Sequence, residues 1–269
     1  MAKLMPKTMS EPKAELGIRI VCIVQARMNS TRLPGKVLLP LAGRAVLSHV
    51  VERLSCCTSL SEVVVATSDE ASDDVLAQWC LDHGVKVFRG NLNDVLDRYY
   101  HCALKHKAQA VVRITADCPA LDPVLVDEVV RGFQLGAYDL FYLSGDFPDG
   151  LDCAVFSFSA LQRAWREAQL PSEREHVAPF MLNHPQWFRQ GQLNKFKGLG
   201  HHRWTLDEPR DLAFLQSVFE RLHRPVGRPF LTQDLLDLLE REPGLLQTND
   251  GIVRNEGLIK SLGIDIGAA

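Results

Sequence analysis

The chain lacks the features that mark several large classes of protein. None of its apolar runs approaches the roughly 18–20 residues that a membrane-spanning helix needs. Its 30 Lys and Arg residues are fewer than its 33 Asp and Glu residues, so it has none of the basic excess expected of a general nucleic-acid binder. It contains no internal repeat and no low-complexity tract. These absences predict a globular protein with neither membrane nor nucleic acid among its partners.

Sequence motifs for several other chemistries are also missing. The dinucleotide-binding pattern G-x-G-x-x-G, the zinc-protease pattern H-E-x-x-H and the serine-hydrolase pattern G-x-S-x-G do not occur, and the seven cysteines form no C-x-x-C pair. Most of the cysteines lie in apolar runs, which predicts buried thiols and a cytoplasmic, reducing location. Residues 1–17 mix Lys, Pro and Glu without an apolar core, which predicts a poorly ordered leader and not a signal peptide.

The first half of the chain alternates short apolar runs with helical patterns of apolar residues. Buried strands are predicted at 19–25, 62–67, 85–88 and 110–115, each followed by a helix, and the last of these helices is predicted to start at Asp122-Pro123. Such alternation predicts an α/β fold in which a mostly parallel sheet carries helices on both faces. Ligands bind such sheets beyond the carboxyl ends of the strands, so residues that directly follow a strand are the first candidates for a site.

The pattern changes after Tyr138. Further strands are predicted at 138–143, 153–158 and 203–206. A helix capped by Ser159 is predicted, and later helices are predicted to begin near Pro209 and Thr232. Residues 144–200 combine turn-rich and polar stretches with aromatic insertions, which predicts an insertion on the sheet for substrate contact or dimerisation. We therefore expect one α/β domain over residues 18–269, with 144–200 inserted into it.

The most informative segment is Gln25–Lys36, which reads QARMNSTRLPGK and directly follows the first predicted strand. Residues 18–51 contain five Lys or Arg and no acid, a charge of +5, whereas the rest of the chain carries −8. Arg offers forked donors and Lys a point charge, so a cationic loop at a strand end suits a polyphosphate. A solvated basic loop without a ligand is the alternative that composition alone leaves open.

The longer segment QARMNSTRLPGKVLLPLAGRAVL closely resembles the opening signature of the cytidylyltransferase family, and within it the SpsF-type branch of spore coat polysaccharide biosynthesis. That family includes synthetases that join CMP to sugar acids. The resemblance implies a Rossmann-like nucleotidyltransferase fold, related to the GT-A fold of glycosyltransferases, in which this loop binds the triphosphate of CTP. Arg27, Arg32 and Lys36 would act in catalysis. The residues implied in triphosphate binding are Ala26, Arg27, Ser30, Arg32 and Lys36.

Two carboxylates that follow later predicted strands are candidates for Mg²⁺ ligands. Asp117 lies in RITADCPALD, and Asp207 lies in WTLDEPRDL. Both segments resemble family motifs whose acidic residues reach the metal, although Ala116 stands where the family often has Gly. Mg²⁺ accepts carboxylates beside phosphate oxygens, which suits this position. From the residues alone, Asp117 could equally form a turn, and Asp207 or Glu208 could cap the helix that follows.

Further site residues are implied by resemblance to the SpsF-type branch. The nucleotide would contact ATSDE, RGNLNDVLDRY and the strand before Asp117, with the candidates Ser68, Asp94, Arg98 and Arg113. The acceptor would contact FPDGLDCAVF and PSEREHVAP, with the candidates Asp149, Asp152, Glu173, Arg174 and His176. An intrahelical ion pair is the alternative for Asp94 and Arg98, and a solvated face or a dimer contact is the alternative for the acceptor group. His176 could serve as a base.

Together these residues predict a Mg²⁺-dependent cytidylyltransferase, in which an acceptor oxygen attacks the α-phosphorus of CTP and pyrophosphate leaves. The expected acceptor is an acidic sugar, a phosphonate or a related small molecule, and the expected assembly is a homodimer. A glycosyltransferase that uses a nucleotide sugar is one alternative, but such enzymes usually place D-x-D at the metal, where this chain has Ala116-Asp117-Cys118. A nucleotide-binding scaffold without catalysis is the other alternative.

Overall fold

The central element of the fold is a seven-stranded β-sheet, seen in a computed structural model that describes residues 17–224, 228–254 and 256–268. All of the expected leader except Gly17 lies outside the described residues. Within the described ranges, no helix is long and apolar enough to cross a bilayer.

Most strands of the sheet run in the same direction. The described strands are β1 (Ile20–Gln25), β2 (Pro40–Leu41), β3 (Arg44–Ala45), β4 (Glu62–Ser68), β5 (Lys86–Gly90), β6 (Ala110–Thr115), β7 (Leu140–Gly145), β8 (Ala154–Ser157) and β9 (Gln190–Phe196). Across the large sheet the order is β5-β4-β1-β6-β8-β7-β9, and β2 pairs with β3 in a separate hairpin. The parallel pairs β1–β4, β1–β6, β4–β5 and β7–β9 confirm the expected mostly parallel sheet.

The carboxyl ends of β1 and β6 lie level with each other beside the point where the strand order reverses. β1 reads IVCIVQ, and its first five residues are buried because both faces of the sheet are covered. Its last residue, Gln25, pairs with Ala66 on one side and with Thr115 on the other. β4 and β5 extend the sheet from one side of β1, and β6 follows on the other side. The crevice that this reversal opens is the place where α/β sheets bind ligands.

One reversed strand brings later segments to the same edge. β8 is antiparallel to both of its neighbours, β6 and β7. The connection 146–153 between β7 and β8 therefore lies at the edge where β1 and β6 end. Because β9 is parallel to β7, the chain that follows Phe196 also leaves from that edge. The segments 146–153 and 197–208 thus meet the residues that follow β1 and β6.

Helices cover both faces of the sheet, as expected. The described helices are α1 (Val46–Ser55), α2 (Asp74–Asp82), α3 (Val95–Lys105), α4 (Pro123–Gly136), α5 (Phe158–Glu167), α6 (Pro171–His176), α7 (Pro179–Asn183), α8 (Pro209–Leu222), α9 (Thr232–Arg241) and α10 (Glu256–Ala268), with short 3₁₀ turns at Lys36–Leu38, Ala71–Asp73 and Pro243–Thr248. One core cluster contains apolar residues of α1, α4 and α8, and the other contains those of α3, α5 and α7. Two buried layers on opposite faces explain the continuous apolar runs of the central strands.

Two helix starts show how local chemistry sets the element boundaries. The Asp122 carboxylate accepts hydrogen bonds from the backbone N–H groups of Val124 and Leu125, so the predicted start of α4 is confirmed. The expected role of Ser159 as the cap of α5 is wrong, because Ser157 accepts the hydrogen bond from the Ala160 N–H.

Other expectations also need correction. Residues 203–206 form no strand, and the one bridge there joins Arg203 to Asp149. β9 was not predicted, because its half-exposed sequence QGQLNKF has no apolar run. α10 was not predicted either. Among the cysteines, Cys56 is exposed and Cys57 is half-buried, whereas the other five are buried, and all seven are free thiols.

Candidate active site

The candidate site is a cavity of about 610 Å³ at the carboxyl ends of β1 and β6. The basic loop, defined as Gln25–Lys36, forms one side of it. The remaining wall comes from β6 and the residues that follow it, from the segments 146–153 and 197–208, and from α6, α7 and α10. The predicted site residues that line the cavity are Ala26, Arg27, Ser30, Arg32, Lys36, Arg113, Asp117, Asp149, Asp152, His176 and Asp207. The sheet topology therefore brings together residues up to 181 positions apart in sequence.

The Lys36 ammonium lies between the two predicted metal ligands. Its Nζ donates to Asp117 Oδ2 at 2.6 Å and to Asp207 Oδ1 at 2.8 Å. Burial favours the neutral amine, but the two carboxylates outweigh it and raise the pKa of Lys36 above its ordinary value. Burial also opposes ionisation of Asp117, and Lys36 overcomes it and holds the pKa of that carboxyl below its usual range. We call Asp117 and Asp207 the carboxylate pair.

The shape of the basic loop depends on one carboxylate and one glycine. Asp73, at the end of the turn after β4, accepts a hydrogen bond from the Met28 N–H at 2.7 Å and further bonds from Thr67 and Ser68. Gly35 has φ +70°, a left-handed conformation that costs a glycine little, and its N–H donates to the Met28 carbonyl. Lys36 follows directly, so the turn at Gly35 aims its side chain at the carboxylate pair.

Asp207 is held by three cations and does not cap α8. Its Oδ1 atom contacts Lys36 and, at 3.1 Å, Arg32, and its Oδ2 atom accepts from Arg203 at 3.1 Å. The capping role belongs to Asp211, whose Oδ2 accepts from the backbone N–H groups of Asp207 and Glu208. The Asp207 side chain consequently lines the cavity, and its role as a metal ligand stays a prediction.

Arg203 is a buried arginine that binds several carboxylates, and the sequence patterns did not indicate it as a site residue. Only 7% of its side chain is exposed, and its guanidinium donates to Asp149, Asp207 and Asp211 at 2.9–3.1 Å. The segment is held from its other side, because Asn249 donates to the Arg203 carbonyl and to Asp211. A planar guanidinium carries several donors in fixed directions and can bind three carboxylates at once, whereas a lysine ammonium is a compact point charge.

Asp149 and Asp152 reach the cavity from the connection between β7 and β8. Burial and the neighbouring carboxylate of Asp152 raise the pKa of Asp149 to about 7, against the opposing effect of Arg254 and Arg203. Gly150 lies between them with φ +104°, and a Cβ there would meet the Trp204 carbonyl carbon at 2.7 Å. The close approach fixes the connection against the 203–207 segment.

His176 and Glu175 face α10 across the cavity. The Ser261 hydroxyl donates to Glu175 Oε2 at 2.6 Å and lies 3.1 Å from His176 Nε2. Since that hydroxyl proton is given to Glu175, His176 Nε2 is assigned as the donor to Ser261. Burial lowers the pKa of His176, which keeps the imidazole neutral at pH 7. His176 Nδ1 makes no hydrogen bond to the described residues, and it is the nitrogen left with a lone pair.

Five predicted residues do not line the cavity. The Ser68 hydroxyl donates to Asp73, and the Arg98 guanidinium is fully buried, with Nη1 donating to the Asn91 carbonyl at 2.8 Å. The other three lie in hydrogen bonds that join α6 to its surroundings: Asp94 caps α3 and pairs with Arg174, and Glu173 accepts from the backbone of Gln169 and Leu170. Their roles in ligand binding stay predictions.

Two buried polar atoms in the cavity wall have no hydrogen-bond partner within the described ranges. They are Arg113 Nε, from a predicted site residue, and Gln25 Oε1, which was not predicted. Buried polar groups normally find partners, so an orphaned donor and acceptor in a cavity wall indicate contact with a ligand or water. For Gln25, the signal available in the sequence was its place as the last residue of the first strand.

The carboxylate pair fits a magnesium ion that also takes phosphate oxygens. Mg²⁺ is commonly held by one or two carboxylates together with substrate phosphates. Asp117 and Asp207 already share one cation, the Lys36 ammonium, so their oxygens converge on one position. No group of three or more His, Cys, Asp or Glu suited to a metal occurs among residues 17–224, 228–254 and 256–268. The pair would therefore need phosphate oxygens to complete the ligand set.

The strand order and the charged residues at its reversal are those of a Rossmann-like nucleotidyltransferase, and comparison with known proteins narrows the class. A family model described as Cytidylyltransferase matches residues 21–216, which is more than half of the chain. The chain belongs to the cytidylyltransferase family. The family and the fold expected from the basic loop are thereby confirmed.

Relatives that match nearly their whole length support the assignment. The spore coat polysaccharide biosynthesis protein SpsF of Bacillus subtilis is 32% identical, over 83% of this chain and 95% of that protein. An uncharacterised protein of Methanocaldococcus jannaschii is 32% identical, over 87% of this chain and 96% of its own length. A cytidylyltransferase structure from Leptospira borgpetersenii has a TM-score of 0.81 at 30% identity, and covers 88% of this chain and 100% of its own.

Proposed function

We propose that the chain is a CTP-dependent cytidylyltransferase that joins CMP to a small anionic acceptor, an acidic sugar, a phosphonate or a related compound, and releases pyrophosphate. One observation carries the proposal. The Lys36 ammonium, at the end of the basic loop, lies between Asp117 and Asp207 at the point where the strand order of the sheet reverses. Relatives named 3-deoxy-manno-octulosonate cytidylyltransferase act on a sugar acid, and they match over 42% of this chain.

The basic loop binds the triphosphate. Arg27 and Arg32 present guanidinium groups to the cavity, and Ser30 adds a hydroxyl beside them. Lys36 carries a charge that two carboxylates stabilise, so it remains an ammonium when phosphate replaces one of these partners. Fixed cations that face the leaving phosphates stabilise the charge that develops on pyrophosphate.

The carboxylate pair would hold Mg²⁺ against the phosphates of the nucleotide. When bound, that ion would polarise the α-phosphate and lower the barrier to attack on phosphorus. The residues of the chain position the reactants: Lys36 and Arg32 contact Asp207 from one side, and Arg203 contacts it from the other. An acceptor oxygen forms the new bond to the α-phosphorus as the bond to the bridging oxygen breaks, and the electron pair leaves with pyrophosphate.

The acceptor lies on the side formed by 146–153, α6 and α10. A carboxylate or phosphonate oxygen can attack without losing a proton, whereas a sugar hydroxyl has to lose one. His176 is neutral at pH 7 and directs one ring nitrogen to Ser261, so its other nitrogen is available as the base for a hydroxyl acceptor. Arg113 Nε has no hydrogen-bond partner in the part of the chain that the structure describes, and it is a donor suited to an anionic group of either substrate.

A pyrophosphate-release assay tests the proposal. Each of the four nucleoside triphosphates is combined with Mg²⁺ and with sugar acids, phosphonates and sugar phosphates in turn. We expect release with CTP and an anionic acceptor, together with a CMP-linked product. In a parallel assay a nucleotide sugar replaces the triphosphate. Transfer of its sugar to an acceptor, with no release of pyrophosphate, would instead identify a glycosyltransferase. Nucleotide binding without turnover across the panel would identify a scaffold.

We propose further that residues 18–269 act as one domain with 144–200 inserted, and that the protein works as a cytoplasmic homodimer. The connection 146–153 and α6 both contribute to the cavity, which agrees with a substrate role for the inserted residues. Sedimentation of the purified protein would test the dimer.

A further inference from the structure

Helix α10 forms one wall of the cavity although it lies well beyond the residues matched by the family model, which end at 216. Gly257, Leu258, Lys260, Ser261 and Ile264 line the cavity from this helix. The helix is joined to α6 by polar contacts: Ser261 donates to Glu175, and Asp265 accepts from the Ser172 N–H at 3.0 Å. α10 therefore separates the ligand-binding edge of the sheet from solvent on this side.

The first turn of α10 places a carboxylate on a phosphate-binding arginine. Glu256 Oε2 accepts from Arg32 Nη1 at 2.7 Å. The same guanidinium also faces Asp207 at 3.1 Å and Glu208 at 3.7 Å, so three carboxylates surround one cation that the triphosphate requires. A triphosphate that approached Arg32 would meet these like charges at short range, and Glu256 makes the shortest of the three contacts with the guanidinium.

We propose that α10 is a lid, and that Glu256 holds it shut by occupying Arg32 in place of a triphosphate. The proposal rests on the proposed function, because it requires Arg32 to be a triphosphate contact. A nucleotide that binds Arg32 displaces Glu256, and the first turn of α10 then moves away from the basic loop.

Glu256 has a second charged partner, which lowers the free-energy cost of displacing its carboxylate from Arg32. Glu256 Oε1 already pairs with Lys260 at 2.7 Å, one turn along the same helix. Released from Arg32, the carboxylate keeps this cation, so no charge is left without a counterpart. Ser261 and Asp265 hold the middle of α10 to α6, and they are independent of Arg32. The opening is therefore expected at the beginning of the helix, next to the basic loop.

Binding of inorganic tripolyphosphate tests the competition without a nucleotide or an acceptor. Titration calorimetry in the presence of Mg²⁺ would compare the wild type with Glu256→Gln, which keeps the size of the side chain and removes its charge. We expect about two- to fivefold tighter binding by Glu256→Gln, because an exposed ion pair is weak and its loss shifts the competition only modestly. The control is Glu128→Gln, which removes a comparable pair with Lys195 outside the cavity and is expected to leave the affinity unchanged. Equal or weaker binding by Glu256→Gln would overturn the proposal.

Hydrogen exchange in the wild-type protein tests the movement itself. Amides of residues 260–264 are expected to exchange faster when tripolyphosphate is bound, because the first turn that precedes them has been released. Unchanged or slower exchange would overturn the lid, as would failure of tripolyphosphate to bind either form. If both effects occur but no acceptor supports pyrophosphate release, the proposed function fails while the lid stands.

Discussion

The two sides of the cavity differ in how their charged residues are used. On the side of the basic loop and the carboxylate pair, charged side chains from three separate segments point into the cavity and contact one another there, as Lys36, Asp117 and Asp207 do. On the side of the inserted residues, charged side chains that are close neighbours in sequence point to different surroundings. His176 lines the cavity, whereas Arg174 is bound to Asp94 and Glu173 to backbone. Loops that converge on one edge of the sheet can direct several charged side chains to one position, but a helix in an insertion directs only part of its surface to the cavity.

The largest expected effect is at the carboxylate pair. Asp117→Asn keeps the shape of the side chain but removes one of the two charges that would hold Mg²⁺, and we expect pyrophosphate release to fall by about 100- to 1,000-fold. Lys36 retains Asp207, so the melting temperature should change little. Asp127→Asn is the matched control, because Asp127 accepts hydrogen bonds from Thr58 and Ser59 away from the cavity. Equal losses in the two variants would show that Asp117 has no role specific to the cavity.

A smaller effect is expected where the two sides meet, at Arg203. Arg203→Lys leaves one point charge for Asp149, Asp207 and Asp211, so the fork that contacts all three is lost. We expect a loss of about 1–3 kcal/mol in the free energy of unfolding and about a tenfold higher Mg²⁺ requirement. Denaturant titration and a Mg²⁺ titration of pyrophosphate release measure the two effects.

The control for this variant is Arg221→Lys, which alters an exposed arginine paired with Glu242. It should change the free energy of unfolding by less than about 0.5 kcal/mol, because exposed ion pairs contribute little. A Mg²⁺ requirement that stayed at the wild-type value in Arg203→Lys would show that Arg203 acts on the fold alone.

The smallest effect concerns Asp149 and appears as a pH dependence. The folded protein binds a proton at Asp149 up to pH of about 7, whereas an ordinary aspartate has released it by about pH 4. Folding stability therefore falls as the pH rises from about 4 to about 7 and regains none of this loss above it. Asp149→Asn cannot ionise, so the difference in the free energy of unfolding between pH 5 and pH 8 should shrink. The exposed Asp250→Asn should leave that difference as it is, and an equal difference in Asp149→Asn would contradict the expectation.

The sequence was sufficient to predict those site residues whose position relative to a strand end decides whether they reach the cavity. The four strands of the first half are apolar runs of ordinary length, so their ends could be found, and Lys36 and Asp117 follow from those ends. Asp207 required the resemblance to a family, since the segment before it forms no regular strand. Ser157 was missed as the cap of α5 because two serines lie two positions apart, and only the backbone shows which one accepts the hydrogen bond.

What could not be predicted depends on contacts between distant parts of the chain. Arg32 and Glu256 are 224 positions apart, and nothing in the sequence near either residue indicates the other. Arg203 was taken as the start of a strand, and its role depends on Asp149, 54 positions away, as well as on the nearby Asp207 and Asp211. β9 has no apolar run, because it is an edge strand whose outer side faces solvent. Such features arise from tertiary packing, which local propensity does not contain.

The reversed strand β8 has a consequence for how substrate choice can change. Because β8 turns the chain back at the ligand-binding edge, the connection 146–153 is a loop between two strands and can accept substitutions that leave the basic loop untouched. Under the proposed function, nucleotide preference and acceptor preference are then encoded in separate stretches of the gene. Exchange of 146–153 between members of the family is then expected to transplant one preference without the other, provided that the glycine at 150 and the aspartate at 149 are kept.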